Sequence, residues 1–219
     1  MFITYVVINV VKPKYELESK VKFIKSEKMM KNAWMIAAAV GLFLSNGLFA
    51  QKFEANTEKT SIKWTGKKIA TEHYGEIGLR NGFLEIRDDR ITAGMFEVDM
   101  TTIRNSDIDN EARNQRLVGH LKSNDFFSVE QYPVSSLEIT GSTRFVDDKA
   151  TISGRLTIKG KTEPVTFETV RKNNTYSASL SVDRSKFDVR YGSDSFFDNL
   201  GDNAIDNIFT LDIQLVLKE

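Results

Sequence analysis

Few side chains in this 219-residue chain could do chemistry, and most of them cluster. His120, Lys122 and Asp125 stand within six positions of one another, and His73, Asp183 and Arg184 lie elsewhere. One reading makes His73, His120 and Arg184 contacts for a phosphate or carbonyl group, because a guanidinium offers a forked donor set to such oxygens. The other makes the set structural, with Asp125 or Asp183 pairing with Arg184 to fasten a helix. Nucleophilic catalysis by Ser123, His120 and Asp125 is disfavoured, because neighbours on one helical turn cannot supply the geometry of nucleophile, base and orienting group. The two histidines could meet and bind a metal with Asp125, yet nothing in their spacing is a ligand signature, so no metal site is assigned. There is no cysteine, hence no thiolate, disulfide or lipidated Cys, and no GxSxG, HExxH or GxGxxG motif. An enzyme is not expected.

These residues must be positioned by the elements around them. Asn105 to Pro133 is the one stretch where period-two alternation lapses. Ser106 with Asp109 three positions later resembles a capping signal. Ala112, Leu117 and Leu121 then form a narrow apolar stripe among charges, predicting one short helical insertion near 105–125. Phe126, Phe127 and Pro133 follow, so the segment reads as a lid or plug on a β structure.

On either side, apolar and polar residues alternate. Thr60 to Lys67 carries Ile62 and Trp64 on one face; His73 to Leu79 follows, then Asn81-Gly82, which has the composition of a type I′ hairpin turn. Asp88-Asp89, Asp147-Asp148, Lys159-Gly160 and Asn173-Asn174 punctuate later strands, and Ile208 to Leu217 closes the series. The pattern predicts about eight or nine strands, with Pro133 and Pro164 at strand entries. Long strands joined by hairpins favour an all-β, antiparallel barrel over a sandwich, because closure removes exposed edges.

Two segments are set aside. Residues 30–50 hold a lysine, the apolar run Ala33 to Phe49 and Ala50 before a polar start, which describes a secretory signal peptide cleaved between Ala50 and Gln51; an uncleaved anchor is the alternative. Residues 1–29 precede it and fit an over-extended start. Residues 51–219 form the single folded domain. Residues 1–50 hold seven of the 30 basic and three of the 30 acidic residues, leaving 23 and 27, a net charge of −4. That balance argues against nucleic acid, which requires a basic surface.

Five motifs in one order carry a family resemblance: His73-x-Gly75 with Gly82; Gly94-x-Phe96-x-Val98-Asp99-Met100; Gly119-His120-Leu121-Lys122-Ser123-x-Asp125-Phe126-Phe127 running to Tyr132-Pro133; Gly154-x-Leu156-Thr157-Ile158-Lys159-Gly160; and Asp183-Arg184-Ser185-x-Phe187. The sequence resembles the YceI family of bacterial periplasmic lipid- or polyisoprenoid-binding proteins over Lys52 to Lys218. Ser128 stands where many relatives carry an acid. The resemblance implies a lipocalin-like barrel around an apolar cavity, and a periplasmic or secreted protein that sequesters or carries an isoprenoid lipid or quinone-like amphiphile without a cofactor. Transient membrane contact and a homodimer are compatible with it. A lipid-modifying enzyme using the His120 region, or a barrel filled by its own side chains, are the alternatives. The candidate ligand-binding residues are Trp64, His73, Phe96, His120, Phe126, Phe127, Leu156, Phe167, Arg184 and Phe209. Phe126, Phe127, Phe196 and Phe197 are candidates either for a gate or for a permanent plug.

Overall fold

The computed structural model describes residues 50–68 and 71–219; the expected signal peptide and the segment before it lie outside these. Among the described residues nine strands are present: β1 (Gln51–Glu54), β2 (Ser61–Lys68), β3 (Thr71–Arg87), β4 (Arg90–Asn105), β5 (Val134–Ser142), β6 (Lys149–Ile158), β7 (Lys161–Lys172), β8 (Thr175–Asp183) and β9 (Ile205–Val216). Among the described residues one α-helix, α1 (Glu111–Lys122), lies between β4 and β5. Strands β2 to β9 each pair with their chain neighbours, and β9 returns to pair with β2, so an eight-stranded antiparallel meander closes on itself. Strand β1 completes the stave begun by β2: it pairs with β3 through Phe53 and Leu84, while Ala55 bridges Leu217.

The tight turns follow local chemistry. Asp88-Asp89, Asp147-Asp148 and Lys159-Gly160 all adopt positive φ, as does Asn173, the left-handed geometry that joins twisted strands by two-residue turns. Asn81-Gly82 does not. Gly82 has no positive φ and sits inside the 17-residue β3, beside a bulge at Arg80. What requires glycine there is the neighbouring strand: a Cβ on Gly82 would lie 2.2 Å from the Phe96 ring. The expected hairpin is therefore one long strand covered across the ladder by an aromatic.

The helix also differs from expectation at its start. Asn110, not Ser106, caps it, its side-chain oxygen accepting from the Arg113 amide at 3.0 Å. Leu121 is buried and Ala112 is exposed, so the stripe runs through the last turns only. Pro164 lies inside β7 rather than at its entry. It falls in the half of β7 with no β8 partner, since those strands pair only from Thr169 to Lys172, and so occupies an edge position in effect. The open seam is sealed by a 3-10 turn (Arg184–Phe187), whose Phe187 is 2% exposed.

Up-and-down connectivity sorts the connections by end. One end carries the tight turns β3–β4 and β7–β8 and the short β5–β6 link. The other carries α1, the Lys159-Gly160 turn between β6 and β7, and the long segment joining β8 to β9.

Candidate functional site

The barrel is hollow. A cavity of ≈ 200 Å³ runs along its interior, far above the ~10–15 Å³ that admits one water molecule, so it is not a packing defect. Its wall is built from the inward residues of the staves, including Ile62, Trp64, Phe96, Leu156, Phe167 and Phe209. Val98, Leu137, Phe167, Leu211 and Ile213 also face it, and each keeps accessible surface although it points inward. In a filled core such side chains would bury that surface against one another. Ile86 and Val165 do not line the cavity.

The base, at the tight-turn end, is sealed. Phe145 and Tyr176 meet edge-on at 6.0 Å between centroids, and the Arg171 guanidinium lies 4.4 Å over the Phe145 ring. Arg171 bonds Asp89 at 3.2 Å, tying two turns together across that end. Burial raises the Tyr176 hydroxyl above its ordinary pKa, so the ring remains neutral there.

The helix end is closed by side chains of the segment that follows α1. Phe126 and Phe127 lie edge to face at 5.0 Å, and both border the cavity beside Leu121. Lys122 fastens the helix by donating to the Thr101 carbonyl at 2.7 Å, and Ser123 caps it by donating to the His120 carbonyl at 2.8 Å. The Ser123 hydroxyl is thus engaged away from the imidazole. His120 packs edge-on against Tyr191 at 4.4 Å and Phe126 at 5.8 Å, behind the cavity wall rather than on it. Asp125 is exposed.

His73 also stands off the cavity. Its Nδ1 lies 2.8 Å from Asp107, whose other oxygen accepts from the Tyr74 amide at 2.9 Å and from Asn105. Burial opposes ionisation of Asp107, but these donors outweigh it and hold its carboxyl below the usual range. The pair pins the loop leading into α1 to β3. Neither Asp125 nor Asp183 pairs with Arg184. Asp183 caps the 3-10 turn by accepting from the Ser185 amide and hydroxyl, while Arg184, 2% exposed, donates to four backbone carbonyls: Asp206, Val189, Tyr191 and Ile205, at 2.8–2.9 Å. It borders the cavity at the helix end.

Residues 53–217 match the profile of the YceI-like domain family, nearly the whole described chain. The chain belongs to the YceI-like family. Two solved structures share the fold: Burkholderia cenocepacia BcnA, at 17% identity and a TM-score of 0.58 over 75% of this chain and 99% of that one; and a polyisoprenoid binding domain from Saccharophagus degradans implicated in plant cell wall breakdown, at 14% identity and 0.52 over 78% and 98%. No curated protein matches the sequence.

In this YceI-like domain the motifs occupy distinct places. The first holds a close approach: a Cβ on Gly75 would fall 1.9 Å from the Arg104 carbonyl, the same oxygen that accepts from the Trp64 indole at 3.1 Å. The third supplies the helix, its cap and the two phenylalanines. The last supplies the turn that closes the β7–β8 seam. Phe196 and Phe197 are exposed and stand off the cavity, Phe196 beneath the Arg190 guanidinium at 5.1 Å, so that aromatic pair does not share the place of Phe126 and Phe127. Gly66, Met100, Ile103, Ser135 and Asp206 border the cavity and were not picked out from the sequence as site residues. Met100 carried a usable signal, since it continues the Phe96 and Val98 alternation. Asp206 and Gly66 carried none, because they reach the cavity where the register between β2 and β9 shifts.

Proposed function

We propose that this protein holds one long apolar chain, an isoprenoid lipid or a quinone-like amphiphile, in the barrel cavity and sequesters or carries it in the periplasm or outside the cell. The observation that carries the reading is the hollow interior: an almost wholly apolar void with a sealed base and an aromatic pair across its other end. Burying apolar area releases ~25 cal/mol per Å², so a hydrocarbon chain drives binding without an extensive polar site. The polyisoprenoid-binding relative of the same fold supports the ligand class, and the signal-like residues 30–50 support the location.

The wall contacts proposed for the chain are Trp64, Phe96, Leu156, Phe167 and Phe209, with Phe126 and Phe127 moving aside to admit it. Binding without turnover is the reading we favour, because His120 is wedged between rings and Ser123 bonds a carbonyl, so neither is presented to the cavity. Extraction of the purified protein into organic solvent followed by mass spectrometry tests it. A co-purifying lipid, or saturable uptake of added polyprenyl phosphate or quinone, is the expected result. Recovery of no lipid from several expression hosts together with no uptake would overturn it, and chemical conversion of an added lipid would favour an enzyme.

A further inference from the structure

The cavity wall carries charge in one region only, the helix end, and there it carries a buried cation. Arg184 is the one buried charged side chain among the described residues. Its guanidinium makes four hydrogen bonds, all to backbone carbonyls, and a guanidinium has five N–H groups, so Nη2 retains one donor beyond its bond to Ile205. No carboxylate among the described residues pairs with it. The nearby acids are committed elsewhere: Asp183 to Ser185, Asp194 to Asn207, and Asp206 to the Ile208 amide. The Phe126 ring lies 5.6 Å from the guanidinium carbon. Burial lowers the Arg184 pKa, and Asp183, Asp194 and Asp206 oppose the shift, but an arginine keeps its proton in proteins. The result is a cation stabilised by carbonyl dipoles at one end of an apolar void, with a donor to spare.

We propose that Arg184 is a head-group site, so that the cavity takes an amphiphile whose polar end carries an acceptor oxygen (carboxylate, phosphate or carbonyl), tail toward the base and head toward Arg184, and rejects cationic heads. This rests on the reading of the cavity as a lipid site and adds the polarity and orientation of its ligand. A charge-assisted hydrogen bond formed away from water is stronger than a neutral one, and an ammonium placed at the same point meets a like charge. The Asp206 carboxylate stands at the exposed rim, where water screens it, so it does not cancel the buried guanidinium. The tail direction follows from the sealed base, which presents Ile91, Leu84 and Tyr176 to the cavity and no charged group.

The test uses the full chain loaded with a neutral naphthylamine probe and a series of equal tail length: tridecanoate, dodecyl phosphate, 2-tetradecanone and dodecylammonium, each below its micelle concentration. The acceptor-bearing members should displace the probe at concentrations about tenfold lower than dodecylammonium does. Displacement by the phosphate and carboxylate but not the ketone would narrow the head to an anion and still support the site. Equal displacement by all four would overturn the head-group site and leave the lipid cavity standing. Failure of the probe and of every member to bind would overturn the cavity reading and this inference with it. In Arg184→Met the preference should collapse to near equality. Where that variant loses cooperative unfolding, Arg184→Lys serves: it should still reject the ammonium while losing preference for the ketone. The wild-type series decides the matter whichever variant folds.

Discussion

Replacing Leu156 with tryptophan separates a hollow barrel from a filled one. Leu156 sits on β6 facing the ≈ 200 Å³ cavity, opposite Leu137 in the β5–β6 register. In a filled core the larger ring would overpack and cost ~1–3 kcal/mol. In a domain of this size each kcal/mol moves the midpoint by about 2–4 °C, so thermal unfolding would fall by several degrees. Facing a void, the indole has room, and stability should stay near the wild-type value. Ligand affinity should then suffer instead. An indole in place of an isobutyl group excludes roughly two methylenes of a bound chain, each worth ~0.8 kcal/mol, or about 1.6 kcal/mol in all. That corresponds to about a fifteenfold loss of affinity. Calorimetry of the apo protein and titration with a polyprenyl ligand or a neutral apolar probe measure the two quantities on the same variant. A large drop in the unfolding midpoint with unchanged ligand affinity would refute the hollow-barrel reasoning. Phe167→Trp should behave alike from β7.

Three further outcomes follow from the geometry. Gly75→Ala forces a Cβ into the Arg104 carbonyl and disturbs the bond from the Trp64 indole, so it should lower stability by more than ~2 kcal/mol in urea unfolding. Asp107→Asn should cost stability at neutral pH, and the difference from wild type should vanish in acid. The carboxyl is depressed below its ordinary value of 3.8, so its contribution is present above that value and is lost as pH falls through the folded pKa; a gap that persists at the lowest pH would contradict the assignment. Phe127→Ala should speed both uptake and release of an apolar probe in stopped-flow mixing while leaving the unfolding free energy from urea titration within about 1 kcal/mol of wild type, because Phe127 is only partly buried; unchanged rates would make the aromatic pair a fixed plug.

What the sequence determined by itself is the part governed by neighbours along the chain. Period-two alternation marked most of the strands, because side chains in a strand must alternate sides. Asp88-Asp89, Asp147-Asp148 and Lys159-Gly160 were legible as turns because positive φ is a property of one or two residues. The helix was legible through the lapse in that alternation, and the family through five ordered motifs. The rest depends on residues that meet only after folding. Asn81-Gly82 has a turn's composition, yet the ring of Phe96 on the next strand decides that it is a strand. His73, His120 and Arg184 look alike as chemical groups, but their partners are Asp107, a pair of aromatic rings and four carbonyls, each brought in from a separate element. Above all, alternation gives a strand two faces, and says neither which of them turns inward where both carry apolar residues nor how far apart the opposite walls stand. That distance is set by closing eight tilted strands into a ring, and it is what leaves the barrel hollow.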